Sequence, residues 1–329
     1  MNEANSQNHP GSPKRIGLVL DDATTRGVPV PATQPHPSRG AVERNTCFAV
    51  FVGLTLVVFA APLSMLVRFV LQREEYSHIL LVPAVSVFLL FRDRRRIFSD
   101  VQTCWRLGLG VLLTGVLFGW LGYKYAVSPS DNDRLFTAIF SLVVIWIGGF
   151  ILCYGLKVVQ AGLFPVLFLF MAVPLPDLLL NAVVFWLQSG SAELSDALFK
   201  LAGVPFFRTD FLFALPGVTI EIAKECSGIR SSLALLITSL LAGYVCLQSA
   251  WTRMILILVT FPLLIVKNGI RIVTLSTLAI YADPSFLTGK LHSQGGFVFF
   301  LLALAILAPV LWLLQRAEAN RELPRVTRC

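Results

Sequence analysis

The amino-acid sequence predicts an all-α integral membrane protein with about eight transmembrane helices. Of its 329 residues, 56% are hydrophobic and only 14% are charged, whereas about a quarter of the residues of soluble domains are charged. Many apolar runs approach the roughly 20 residues that are needed to cross the hydrocarbon layer. Basic residues gather in short loops between these runs, which is typical of charges that set membrane orientation and argues against a nucleic-acid partner.

The first segment, residues 1–44, differs from the rest of the chain. It is rich in Pro, Ser, Asn, Gln and Thr and carries scattered basic residues, so it is too polar to form a core and is predicted to be a disordered cytoplasmic tail. It has no apolar stretch followed by a cleavage site, so we do not expect a signal peptide. Residues 45–316 form the predicted membrane domain, and residues 317–329 form a cytoplasmic C-terminal tail.

Eight apolar runs are candidate spans. They cover residues 46–71, 78–91, 107–127, 135–154, 158–175, 231–249, 254–281 and 293–315. The second run is short, so it would have to cross with little tilt or thin the bilayer locally. Pro174-Leu-Pro176 is expected to end the fifth run, because proline removes a helical hydrogen bond.

Charge predicts the orientation of these spans. The run Arg92-Asp-Arg94-Arg95-Arg96, the later loops with Lys157 and Arg253, and the basic C-terminus mark the cytoplasmic side. An even number of spans then places both termini in the cytoplasm. Three segments are left outside: 128–134, 174–230 and 282–292.

The long outer segment has two recognisable parts. Residues 177–202 are amphipathic, with Trp186 and Gln188 among leucines and phenylalanines, and this pattern predicts a helix lying in the membrane interface. Residues 205–221 alternate between apolar and polar and contain a Pro216-Gly217 turn, which predicts a short extracytoplasmic hairpin.

Cys226 differs from the other cysteines. Cys47, Cys153 and Cys246 lie in or beside apolar runs, where cysteine is usually a small buried hydrophobe. No pair of cysteines has metal-ligand spacing or suggests a disulfide framework, so we expect no metal and no cofactor. Cys226 instead lies in a polar patch just before an apolar run. There a helix dipole and the nearby basic residues favour the nucleophilic thiolate.

Lys267 and Arg271 are two cations within the seventh apolar run. A charge deep in a bilayer costs about 2.5–3.5 kcal/mol, so these side chains are expected to face protein or water. Their spacing places them on one helical face. The partner could be Glu221 or Glu225, a substrate carboxylate or a developing oxyanion, and a purely structural buried ion pair is the alternative.

The depth of this pair in the membrane is open at this point. Arg271 precedes Tyr281 by about 15 Å of helix. Either the pair is recessed in the bilayer, or the helix projects beyond the lipid.

Two histidines complete the candidate residues. His292 lies at the start of the eighth run beside Gly295-Gly296, which allow close backbone approach. A histidine at an interface is by itself more often structural than catalytic, and His78, at the start of the second run, is a candidate supporting residue. Cys226, Arg271 and His292 assembled on one membrane face would form a cysteine acyl-transfer site.

The motifs that hold these residues are similar to those of a known family. They are Glu225-Cys226-Ser227-Gly228-Ile-Arg230-Ser231, Asn268-Gly-Ile-Arg271, and His292 with Gly295-Gly296. In this order they resemble the exosortase/archaeosortase family, over residues of about 46 to 315. The resemblance implies an integral-membrane cysteine transpeptidase that acts on C-terminal sorting signals of the PEP-CTERM type. Such a signal consists of a short motif, a transmembrane helix and a basic tail.

The resemblance also implies roles for individual residues. Cys226 would form an acyl-thioester with the substrate. Arg271 matches the arginine that is assigned as a proton donor, although a guanidinium is a poor acid, so an electrostatic role is favoured on physical grounds. His292 occupies a position that is His in exosortases and Arg in archaeosortases, which favours the bacterial branch. The supporting residues would be Glu225, Ser227, Gly228, Arg230, Lys267, Asn268 and His78.

The implied setting is the bacterial inner membrane, with the active site on the extracytoplasmic side. The cleaved protein would pass to an extracytoplasmic acceptor, in a process linked to exopolysaccharide production. Three alternatives remain open. One is a polytopic transporter that binds an anion at Lys267 and Arg271. Another is a protease that uses the same residues but only hydrolyses. The third is a scaffold role within a polysaccharide assembly.

Overall fold

The chain folds as an all-α membrane protein with one small β-sheet. The structure, a computed structural model, describes residues 39–125, 130–224, 228–287 and 290–322. The α-helices are α1 (Arg39–Val58), α2 (Ala60–Gln72), α3 (Val82–Arg92), α4 (Arg94–Ile97), α5 (Trp105–Tyr125), α6 (Asp131–Tyr154), α7 (Leu156–Ala161), α8 (Leu163–Phe168), α9 (Asp177–Leu201), α10 (Ile229–Cys246), α11 (Ala250–Tyr281) and α12 (Lys290–Glu322). Short 3₁₀ helices cover Glu74–Leu80, Leu169–Ala172 and Pro284–Leu287.

Among the described residues, six helices are long and apolar enough to cross a membrane. They are α1, α5, α6, α10, α11 and α12. A seventh span results if the segment Leu163–Ala172 and α9, which are bent by 91° relative to each other, are counted as one broken span. The eight spans expected from the sequence are therefore not all reproduced, while the all-α membrane class is confirmed.

Three of the apolar runs break into shorter helices. The run 46–71 becomes α1, which is still long enough to span, and α2, where Pro62 lies in the first turn and its missing N–H costs no hydrogen bond. The other two runs leave no single helix long enough to span. The run 158–175 becomes α7, α8 and a 3₁₀ helix, with Gly162 at the first break. The run 78–91 becomes a 3₁₀ helix and α3, whose 11 residues are too few to span.

The helical segments at both ends are longer than the predicted membrane domain. Helix α1 begins at Arg39, so the described part of the predicted tail, residues 39–44, is helical. Helix α12 continues to Glu322, into the predicted C-terminal tail.

Helices α5 and α6 form a closely packed hairpin. A Cβ atom on Gly115 would lie 3.0 Å from the backbone nitrogen of Ile145, and one on Gly108 would lie 2.7 Å from that of Leu152. The Ser141 hydroxyl donates a 2.7 Å hydrogen bond to the Gly115 carbonyl. Small residues let the two backbones approach, which is how membrane helices gain packing contacts without a hydrophobic driving force.

The end of the bundle opposite the sheet carries a cluster of basic residues. The Tyr244 hydroxyl of α10 donates to the Asp93 carboxylate beyond α3, and Glu318 of α12 accepts from the backbone N–H groups of Gln248 and Ser249 before α11. The basic residues near these contacts are Arg92, Arg94, Arg95, Arg96, Lys157, Arg253, Arg316 and Arg321. Their clustering supports the prediction that this end faces the cytoplasm.

The predicted hairpin is present and has a third strand. Strands β1 (Phe207–Thr209), β2 (Leu212–Leu215) and β3 (Val218–Glu221) form an antiparallel sheet in that order. Gly217 adopts a φ of 76° in the turn between β2 and β3, as the sequence suggested. Helix α9 closely matches the predicted amphipathic stretch 177–202, but it packs along the spanning helix α11 instead of lying by itself in the interface.

The sheet packs against the outer parts of α9 and α11. Phe199 of α9 and Phe213 of β2 are fully buried, with Ile272, Val273 and Ile280 of α11 packed beside them. A sheet with open edges cannot lie in hydrocarbon, because its unpaired backbone groups would be unsatisfied. Helix α11 has 32 residues and is about 48 Å long, against about 30 Å of hydrocarbon. The length of α11 and the sheet beside its C-terminal part favour the second of the two possibilities left open by the sequence, that this part of α11 projects beyond the lipid.

Candidate active site

The start of α10 fits tightly against α11. Gly228 is the N-cap of α10, with φ 72° and ψ 19°, a left-handed conformation that glycine adopts without strain. A Cβ atom at this position would lie 2.6 Å from Oδ1 of Asn268. Both the backbone angle and the contact therefore require glycine here. Glu225, Cys226 and Ser227 come directly before Gly228 and lie outside the described residues.

Lys267 reaches this same helix start. Its side chain is 2% exposed, and its Nζ donates to the Gly228 carbonyl oxygen at 3.4 Å and to the Ser231 hydroxyl. The Ser231 hydroxyl also donates to the Gly228 carbonyl at 3.2 Å. Among the described residues, the ammonium group thus has neutral oxygen partners rather than the carboxylate expected from the sequence, and Glu221 is exposed on β3.

Asn268 connects the helix start to α9. Its Nδ2 donates a 2.9 Å hydrogen bond to the Ser191 hydroxyl, and both side chains are almost fully buried. One turn earlier on α9, Gln188 Nε2 donates a 2.8 Å hydrogen bond to the carbonyl of Ile222. The residues on the two sides of the cysteine segment, Ile222 and Gly228, are therefore both held through α9 and α11.

The sequence interpretation missed this role of α9. The amphipathic pattern predicts Gln188 on the polar face of an interfacial helix and assigns no role to Ser191. The signal was the spacing of Gln188, Ser191 and Ser195, because positions i, i+3 and i+7 share one helical face. All three side chains are buried.

Helices α9 and α11 are locked together by small residues. A Cβ on Gly190 would lie 2.6 Å from the Ile265 side chain, and a Cβ on Gly269 would lie 2.7 Å from the Leu194 side chain. The second contact lies four residues after the first on both helices, so α9 and α11 run side by side in the same direction at this point. The two helices therefore form a rigid support for the side chains that bind Ile222 and Gly228.

Arg271 lies one turn beyond Lys267 and is half-buried. Its neighbours Ile272 and Val273 pack beside the cluster under the sheet, which places Arg271 between Lys267 and the sheet. Arg230 is exposed in the first turn of α10.

Two predicted histidines lie on other elements. His78 is half-buried in the 3₁₀ helix Glu74–Leu80, which packs against α10. His292 lies in the first turn of α12, and its side chain is outside what the structure describes. Of the predicted residues, the structure brings Gly228, Lys267 and Asn268 into contact, with Arg271 one turn away.

The electrostatics of this region are positive. The N-terminus of α10 carries the positive end of a helix dipole, and Nζ of Lys267 contacts its first turn. The guanidinium of Arg271 carries a full charge. Such a region stabilises an anion, either a thiolate before the reaction or an oxyanion during it. This preference is suited to nucleophilic attack on a carbonyl group.

Comparison with known proteins agrees with this chemistry. A family model described as "Transmembrane exosortase (Exosortase_EpsH)" matches residues 70–309, well over half of the chain. Comparisons with curated proteins and with solved structures gave no match. The matched region extends from α2 to α12 and includes the cysteine segment, Arg271 and His292. The chain is therefore a multi-pass membrane protein of the transmembrane exosortase family, whose general role is protein sorting by transpeptidation.

Proposed function

We propose that this chain is a cysteine transpeptidase that cleaves C-terminal sorting signals through an acyl-thioester on Cys226. The observation that supports it best is the start of α10. The residue two positions after Cys226, Gly228, is bonded to the buried ammonium of Lys267, and Arg271 lies one turn further along α11. Because two residues of chain span at most about 7 Å, the contacts of Gly228 support the proposal that the thiol acts in this region.

The proposed reaction has two steps. The Cys226 thiolate attacks the carbonyl carbon of the scissile peptide bond, and the resulting oxyanion collapses with cleavage of the C–N bond. The leaving amine takes up a proton, and the N-terminal part of the substrate stays on sulfur as a thioester. An acceptor nucleophile then attacks the thioester carbonyl, loses its proton, and displaces the thiolate.

Arg271 and His292 have distinct proposed roles. The guanidinium remains charged, so Arg271 is suited to stabilising the oxyanion or holding a substrate carboxylate rather than to giving up a proton. The imidazole of His292 would transfer protons to the leaving amine and from the acceptor. The location of His292 in the first turn of α12, next to the loop that follows α11, supports this assignment.

The proposed substrates are secreted proteins with PEP-CTERM-type signals, which end in a short motif, an apolar helix and a basic tail. The acceptor would be extracytoplasmic and linked to exopolysaccharide or surface export, and the enzyme would reside in the bacterial inner membrane. The clustering of basic residues at the end opposite the sheet supports this orientation. The burial of Lys267 against protein oxygens argues against the alternative of a transporter with an anion path along α11.

The test is trapping of the thioester. Membranes with the wild-type protein and a reporter that ends in such a signal should accumulate an adduct on Cys226 that hydroxylamine releases. Cys226→Ala should give no adduct and no processing while the protein remains in the membrane. Cys246→Ala, at the other end of α10, is the matched control and should process normally. Processing by Cys226→Ala would refute the proposal, and product release without any acceptor would identify a hydrolase.

A further inference from the structure

The segment that carries Cys226 is held at both ends by side chains from two locked helices. At its exit, Lys267 bonds to the Gly228 carbonyl. At its entry, Gln188 bonds to the Ile222 carbonyl at 2.8 Å. Of these two side chains, Lys267 belongs to α11 and Gln188 belongs to α9. Neither the sequence motifs nor the family resemblance assigns α9 any part in the reaction.

We propose that Gln188 is a positioning residue for the nucleophile, which fixes the entry of the cysteine segment through its hydrogen bond to Ile222. This inference rests on the proposed role of Cys226. Ile222 is a firm anchor, because its side chain is 2% exposed in the cluster under the sheet and its N–H donates to the Phe211 carbonyl at 2.9 Å. The bond from Gln188 adds a third constraint, on the carbonyl from which the chain turns towards Cys226.

The position of Gln188 explains why this bond can direct the sulfur. Its side chain is 7% exposed, so water does not easily replace the lost donor. It lies one turn before Ser191, which holds Asn268, and Asn268 lies against Gly228. One face of α9 therefore acts on both ends of the segment, directly at Ile222 and through Asn268 at Gly228. A shift of about 1 Å at a reacting group is enough to lower a rate by about a hundredfold.

The chemistry of the amide suggests a specific test. Only the N–H of Gln188 is needed at Ile222, so Gln188→Met keeps the shape and removes the donor. Gln188→Glu restores a donor only when the carboxyl group is protonated, a form that burial favours. The same substitution at Gln248, an exposed residue at the opposite end of the bundle, is the control.

The measurement is the rate at which N-ethylmaleimide alkylates Cys226 in the full-length protein, followed by peptide mass spectrometry across pH 5–9. We expect Gln188→Met to change the rate at least fivefold relative to wild type at every pH, and Gln248→Met to leave it unchanged. The ratio of Gln188→Glu to wild type should approach one as the pH falls, and it should depart from one at any pH at which the carboxyl group ionises, because a carboxylate cannot donate to the Ile222 carbonyl.

Two results would overturn the inference. One is an identical alkylation rate for Gln188→Met and Gln248→Met. The other is a ratio for Gln188→Glu that stays at the Gln188→Met value down to pH 5. If Gln188→Met is too unstable to purify, the pH-dependent return of Gln188→Glu, measured by pH jumps on one sample, still decides the question. Alkylation does not require that Cys226 be catalytic, so failure of the proposed function appears separately, as processing by Cys226→Ala.

Discussion

Replacement of Gly228 by alanine tests the tight fit between α10 and α11. Two effects add at this position. The left-handed backbone angle, φ 72°, costs alanine about 1–2 kcal/mol. The new Cβ would also lie 2.6 Å from Asn268 Oδ1, so one of the two groups must move by about 0.8 Å to reach ordinary contact distance.

The second effect can be separated from the first by a matched control. Gly203 has nearly the same backbone angle, φ 68°, but a Cβ there meets no atom within 4 Å. Gly203→Ala should therefore show the backbone strain alone. In Gly228→Ala, displacement of Asn268 also weakens its buried hydrogen bond to Ser191, which adds about 1–3 kcal/mol. The expected totals are about 1–2 kcal/mol for Gly203→Ala and about 2–5 kcal/mol for Gly228→Ala.

The assay combines thermal unfolding in detergent with processing of a reporter substrate. Gly203→Ala should lower Tm slightly and process at close to the wild-type rate. Gly228→Ala should lower Tm several degrees further and process about a hundredfold more slowly, because the cysteine segment is displaced. Equal Tm values and equal processing rates for the two variants would refute the close approach between Gly228 and Asn268.

Four further predictions concern separate parts of the chain. Arg271→Lys should abolish processing, because an ammonium does not replace the planar guanidinium. Near-normal product formation by this variant would show that the planar shape of the guanidinium is not required. His292→Arg probes the imidazole, and retention of activity in this variant would show that a general base is not required there. Arg208→Ala removes the ion pairs between β1 and α9; the shorter pair is to the exposed Glu193 and the longer one, to Asp196, is 3.8 Å, so the expected loss from these pairs is below about 1 kcal/mol with processing retained. A hydrogen bond from Lys157 holds the pKa of Asp100 below its usual value. The pair therefore stabilises the fold at neutral pH, and this contribution is lost as the pH falls through the lowered pKa of Asp100. The Tm of the wild type should fall over that pH range, and Asp100→Asn should not show this part of the fall.

Local chemistry explains which parts of the fold could be predicted from sequence. The strands around Pro216-Gly217 and the bounds of α9 depend on turn residues and periodicity, which neighbouring residues determine. The continuity of the helices does not depend on local residues alone. Pro62 lies in the first turn of a helix that follows a break, whereas Pro262 lies inside the continuous helix α11. Whether proline interrupts a membrane helix depends on neighbouring helices that satisfy the freed backbone groups.

The candidate site shows the same division. The helical spacing of Lys267 and Arg271 was enough to place both on one face of α11. The partners of Lys267 were not predictable, because Gly228 and Ser231 lie on another helix and meet it only after α10 packs antiparallel to α11. The hydrogen bond from Gln188 to Ile222 likewise depends on how the sheet folds back onto α9, which no local pattern encodes.

The length of α11 has a consequence for the lipid environment. Lys267 lies about 26 Å along the helix from its start at Ala250, close to the thickness of an average hydrocarbon layer. Helix α11 thus sets the height of the reactive groups above the opposite leaflet. Lipids with longer acyl chains would submerge these groups, and shorter ones would lift them away from a substrate anchored in the same bilayer. Turnover in reconstituted vesicles should therefore peak at one acyl-chain length and fall on either side of it.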